Sequence, residues 1–174
     1  MSQKITVGSQ HWFVFGLNCK TGWDSQGETV NKELQELLDE KACEKLIAEY
    51  CHLVDFGNAS AIADLFTTDG YWSGPGVEMV GQGQIRAGFA ARQDVARRQS
   101  RHLCTNVLIR VEGDQATSLC YLLNFRHDSR SGVAESPAPA GLPKYVGEYH
   151  DRFVRTSEGW RFASRRCELA FLRD

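Results

Sequence analysis

Apolar residues recur along this chain first at three- and four-residue spacing and later at two. From about Lys32, the residues Leu34, Leu37 and Leu38, then Leu46, Ile47 and Val54, stand one helical step apart with Glu and Lys between them. That spacing predicts an amphipathic helix. Gly57 supplies its C-terminal stop. Asn58 offers a cap for a short second helix carrying Ile62, Leu65 and Phe66. Tyr71 to Gly76 reads as a strand entering a turn, with Val77 to Val80 returning. A third helix is predicted over roughly Gln84 to Arg98, with Ile85, Phe89 and Val95 on its apolar side.

Beyond that point the period becomes two. Ser100 to Val111 alternates, Glu112-Gly113-Asp114 turns, and Gln115 to Phe125 answers as a second long strand. Tyr145 to Arg155 and Trp160 to Phe171 form a last hairpin closed by Thr156 to Gly159. Between the hairpins, a Ser-, Gly-, Ala- and Pro-rich loop over 128–144 is either a flexible excursion or a lid over a site. Helices first and long antiparallel strands after make an α+β layout, with helices covering one face of a curved sheet. Residues 1–30 lack sustained periodicity and read as an N-terminal arm, leaving 31–174 as one domain.

Composition narrows the function classes. The 174 residues suit a single domain, and 20 Lys plus Arg against 22 Asp plus Glu leave a net charge of −2. A nucleic-acid binder would show a basic stripe, so none is expected as partner. No apolar run nears the roughly 18 residues of a membrane span. The run from Trp12 to Leu17 lacks a basic leader and a small-residue cleavage site, so a cytoplasmic protein is expected. Six cysteines contain no C-x-x-C pair, and they read as reduced, mostly buried side chains. Five histidines form no metal-binding spacing, and no glycine-rich cofactor loop is present. The expected chemistry therefore uses no metal and no cofactor.

Polar residues on strand faces that should be buried carry the information. In Arg101 to Leu108, one face holds His102, Cys104, Asn106 and Leu108, and the other Leu103, Thr105 and Val107. If the His102 face is inward, the imidazole needs a partner, and Asp55 at the end of the first helix is the natural one. A carboxylate holding one ring nitrogen makes the other a general base. The same pair also serves as a purely structural hydrogen bond. Tyr50 either donates to a substrate oxygen or packs as a core tyrosine. Arg165, on a largely apolar strand face, either stabilises a developing charge or sits at a rim.

These residues carry a family resemblance. Tyr50-x4-Asp55-Phe56-Gly57-Asn58, Leu65-Phe66-Thr67-Thr68-Asp69-Gly70 and Gly81-Gln82-Gly83-Gln84-Ile85 look like the first half of a SnoaL-like domain of the NTF2-like superfamily. Arg101 to Asn106, Gly147 to Phe153 and Gly159 to Phe162 continue the likeness over about residues 33–172. The pattern is similar to that of scytalone dehydratase, bile-acid 7α-dehydratase and hexachlorocyclohexane dehydrochlorinase. The resemblance implies an NTF2-like cone in which Asp55 orients His102, which removes a proton while a leaving group departs. It also implies assisting roles for Tyr50 and Arg165. The scytalone enzyme's second histidine is replaced near Cys120, and its tyrosine before the Asp is Val54 here.

The expectation is a cofactor-independent lyase, a dehydratase or dehydrohalogenase, acting on a hydrophobic cyclic small molecule. Its pocket wall is drawn from Trp72, Met79, Phe89, Cys104, Leu108, Cys120, Leu122, Tyr149 and Leu169. An isomerase or cyclase, or a non-catalytic small subunit of a ring-hydroxylating dioxygenase, is the alternative. A sheet face carrying Leu103, Val107, Ile109 and Val111 needs cover, and a homo-oligomer is expected, a trimer before a dimer.

Overall fold

A computed structural model describes residues 25–173, with side chains from residue 31 onward. The segment 1–24 of the expected arm lies outside the described residues, while residues 25–30 already belong to the first helix. Helix α1 spans Ser25–Asp55. Its second half buries Asp39, Cys43, Leu46, Ile47, Tyr50, Cys51 and Val54, a stripe at three- and four-residue spacing. Leu34, Leu37 and Leu38, expected on that stripe, are exposed. Gly57 ends the helix at φ 81°, and the Asn58 N–H donates back to the Leu53 carbonyl at 3.2 Å.

The short second helix is a 3-10 helix, Ala59–Leu65, and Asn58 makes no side-chain cap to it. Strand β1 (Phe66–Gly74) turns through Gly76 into β2 (Val77–Val80). Helix α2 covers Gly81–Gln93, starting and ending earlier than the periodicity predicted. Strands β3 (Arg98–Glu112), β4 (Gln115–Asp128), β5 (Tyr145–Thr156) and β6 (Gly159–Leu172) complete the chain. The six strands lie in the order β2-β1-β6-β5-β4-β3, with β1 parallel to β6 and every other pair antiparallel. The helices pack on one face of this sheet, α1 across β3 and β6 and α2 against β1.

One bulge redraws the sequence reading of β3. The pairing with β4 shifts between Thr105 and Leu108, where Asn106 takes φ 52°. An extra residue reverses the side-chain alternation beyond it. Val107, Ile109 and Val111, expected on the outer face, therefore pack against the core. Leu108, expected in the pocket wall, turns outward and is 54% exposed. The outer face instead carries Leu103, Leu108, Leu119, Tyr121 and Phe125. The described cysteines, Cys43, Cys51, Cys104, Cys120 and Cys167, are all free thiols. None of the described helices is long and apolar enough to cross a membrane.

Asp39 straps α1 to the last hairpin. Its carboxylate accepts paired bonds from Arg155 at 2.8 and 2.6 Å and a third from Trp160 Nε1 at 3.0 Å. Arg155 holds the Asp39 carboxyl below its ordinary range. Removing Asp39 leaves the buried Trp160 N–H without its acceptor and Arg155, one-third exposed, with Asp114 as its remaining carboxylate. Asp39→Ala is therefore expected to lower the unfolding free energy by about 1–3 kcal/mol near pH 7. Because the folded carboxyl is the stronger acid, that difference shrinks as pH falls below about 4. Urea titrations at the two pH values check both statements. A loss below about 0.5 kcal/mol near pH 7 contradicts the strap.

Candidate active site

Asp55 is the last residue of α1, and β3 passes directly beneath it. One carboxylate oxygen, Oδ1, lies 2.6 Å from His102 Nδ1 and accepts from Ser100 Oγ at 2.9 Å. The other, Oδ2, accepts the His102 backbone N–H at 2.6 Å. The carboxylate side chain is 4% exposed and the imidazole 11%. Burial alone would raise the Asp55 pKa, but the bonds and charge of His102, with Ser100, outweigh it and leave the pKa lowered. Burial lowers the His102 pKa below the ordinary imidazole value, against the pull of Asp55, and the charges of Arg92 and Arg165 push the same way. The pair therefore rests as carboxylate and neutral imidazole. An ionised carboxylate only accepts, so the ring proton sits on Nδ1 and Nε2 keeps its lone pair.

His102 forms part of the wall of a cavity of about 500 Å³. Of the expected wall, Trp72, Phe89, Leu122, Tyr149 and Leu169 line it. Tyr50 lines it as well, its hydroxyl accepting from Trp72 Nε1 at 3.0 Å. Burial pushes the Tyr50 pKa up, despite the opposing charge of Arg165 and the bonds of Trp72 and Tyr149, so the phenol stays protonated. Edge-on contacts with Phe89 and Tyr149, both at 5.8 Å between ring centres, fix the ring.

Four expected wall residues do not line this cavity. Leu108 is turned out by the bulge. Met79 packs beneath α2, its sulfur filling the space where a Cβ on Gly88 would stand. Cys120 is fully buried behind the wall, and Cys104 faces Cys51 at 3.5 Å between sulfurs. Cys167 takes a place in the wall instead.

Arg165 is brought close to the site but kept behind it. It is fully buried and donates to Asp151 through Nε at 2.8 Å and Nη2 at 2.9 Å. Ser118 Oγ donates to the same carboxylate at 3.0 Å. The guanidinium lies 4.3 Å over the Tyr50 ring and 4.1 Å over that of Tyr149. Desolvation opposes its charge, but Asp151 overrides this and holds it ionised. Arg165 acts on the cavity through those two rings and through its charge, which disfavours protonation of His102.

Two polar residues beside His102 went unread in the sequence. Arg92, in the last turn of α2, lines the cavity and donates from Nη2 to Ser100 Oγ at 3.1 Å. It falls on the stripe of Ile85 and Phe89, and a charged residue on an apolar stripe was the available signal. Asn124 pairs with His102 across β3 and β4, is 1% exposed, and has no hydrogen-bond partner for either amide atom among the described residues. The loop over 128–144 lines a separate hollow of about 430 Å³ with Pro137 to Leu142, and only Lys144 reaches the His102 cavity. His52 and His150 are exposed, and His127 is half-buried beside Glu135. Glu148, His150 and Glu168 form the one potential metal-ligand cluster among the described residues, on the outer sheet face away from the cavity.

Comparison with known proteins agrees with this architecture. A family profile described as a SnoaL-like domain matches residues 35–166. Among solved structures, an NTF2-like protein with a cystatin-like fold from Novosphingobium aromaticivorans is 27% identical, with TM-score 0.68, over 84% of this chain and 90% of its own. A candidate scytalone dehydratase from the same species is 21% identical, with TM-score 0.66, over 79% and 88%. LinA is 16% identical, with TM-score 0.67, over 80% and 90%. The last two likenesses show the fold alone. No curated protein matches the sequence.

The electrostatics make a direct prediction. His102 is expected to titrate below about pH 6.5 in the folded protein. Asp55→Asn, which removes the charge favouring imidazolium, is expected to lower that pKa further. Because the folded imidazole is the weaker base, stability falls as pH drops from about 6.5 toward the depressed value. NMR titration of the ring protons reads the pKa directly. A value above 7 contradicts the burial argument.

Proposed function

The chain belongs to the SnoaL-like domain family, and on that footing we propose that it is a lyase acting on a hydrophobic cyclic small molecule. The observation that carries the reading is a neutral imidazole held by a carboxylate at the wall of a largely apolar cavity. His102 Nε2 takes a proton from a substrate carbon. The C–H electron pair becomes the new double bond as the bond to hydroxide or halide breaks. Asp55 stabilises the imidazolium that forms, and the Tyr50 O–H donates to the departing group. The proton on Nε2 then leaves to solvent or to the released hydroxide. The apolar wall of Trp72, Phe89, Leu122 and Leu169 suits a ring system rather than a sugar or a peptide. Side chains alone supply every step.

A panel of cyclic alcohols and halides, followed for alkene formation, tests the proposal. His102→Ala and Asp55→Asn are each expected to lower kcat by about 10²- to 10⁴-fold with unchanged circular dichroism. Isomerised product without loss of the leaving group replaces elimination by isomerisation. Copurification with a large iron-containing subunit favours the non-catalytic alternative. Normal turnover by a folded His102→Ala protein overturns the mechanism.

A further inference from the structure

The cavity wall holds two cationic side chains, Arg92 and Lys144, and no carboxylate. Lys144 is tied at the edge, its ammonium donating to the Arg173 carbonyl. Arg92 is carried inward at the end of α2 and keeps a single hydrogen bond, to Ser100. Among the described residues, no carboxylate lies within salt-bridge distance of it. The two acids nearest this corner are already engaged. Asp55 is taken by Ser100 and His102, and Asp128 by Arg98 and Arg126. Three arginines therefore face two carboxylates beside a neutral His102. Burial, and then the charge of Arg98, disfavours the Arg92 cation, against the pull of Tyr50 and Asp55. Asn124 adds a second unmatched group next to His102, a buried amide with both polar atoms unpartnered.

We propose that the ligand of this cavity is a hydrophobic carboxylic acid, its carboxylate seated on Arg92 and its ring body against Trp72, Phe89, Leu122 and Leu169. The guanidinium fork suits a carboxylate, and the surrounding apolar wall strengthens the pairing. The inference rests on the reading of the cavity as the substrate site, and it narrows the substrate class. It assigns Arg92 the binding of substrate charge, a role that Arg165, locked to Asp151, does not fill.

Isothermal titration with 2-naphthoate and its neutral isostere 2-naphthamide tests this without any turnover. The wild-type protein is expected to bind naphthoate at least about tenfold tighter than naphthamide, as for a charge-assisted hydrogen bond. Arg92→Met removes that preference and leaves naphthamide binding within about twofold, whereas a structural role would weaken both ligands alike. Ser100→Ala, which keeps the cation, keeps the preference, as does His102→Ala. Arg92→Gln serves as the second variant should Arg92→Met fail to fold. Equal affinity for the two ligands, binding of neither, or a preference that survives Arg92→Met and is lost in Lys144→Met, overturns the proposal. Binding of the acid through Arg92 with no elimination from any cyclic acid sinks the lyase reading and leaves the ligand class standing.

Discussion

The site depends on one carboxylate at the junction of a helix and a strand. Asp55 closes α1 and accepts from the Ser100 hydroxyl, the His102 backbone N–H and the His102 ring at once. One of these bonds engages the β3 backbone, so the same residue that orients the imidazole also sets where the helix ends against the sheet. That double attachment explains why a buried acid is tolerated here, since each oxygen is satisfied by a donor. It also fixes the tautomer, and with it the imidazole lone pair offered to the cavity.

The rest of the wall is made rigid from behind. Arg165 and Asp151 form a fully buried pair on neighbouring strands β6 and β5. The guanidinium stacks against Tyr50, Tyr149 and Phe162 at 4.1 to 4.6 Å. A paired cation packed on ring faces holds those rings in place. The polar duties inside then fall to the residues that do reach it, namely Tyr50 and Arg92 beside His102. Asp39 performs the corresponding fastening at the far end of the helix stripe, where Arg155 and Trp160 reach it from the last hairpin.

Much of this was legible because it follows from periodicity. The stripe from Cys43 to Val54, the Gly57 stop and both long hairpins are local patterns, and each sits where spacing places it. The proximity of Asp55 and His102 was legible because a histidine on an inward strand face demands a partner, and few acids sit on an apolar helix stripe. What escaped were events that no short window contains. The bulge at Asn106 reversed the facing of Leu108 and Val107, and nothing in an alternating run announces an inserted residue. Arg165 looked available because its partner Asp151 lies on another strand. Arg92 escaped because its place beside His102 depends on the packing of α2 against β3, which helical spacing alone does not show.

The central claim is that His102 rests as a neutral imidazole with its proton on Nδ1, committed to Asp55, and its Nε2 lone pair open to the cavity. Nitrogen-15 chemical shifts of the ring at pH 7.5 read that tautomer directly. The account predicts a protonated Nδ1 and an unprotonated Nε2 in the wild type, with the distinction weakened in Asp55→Asn. A ring protonated on Nε2, or on both nitrogens, at that pH would contradict it.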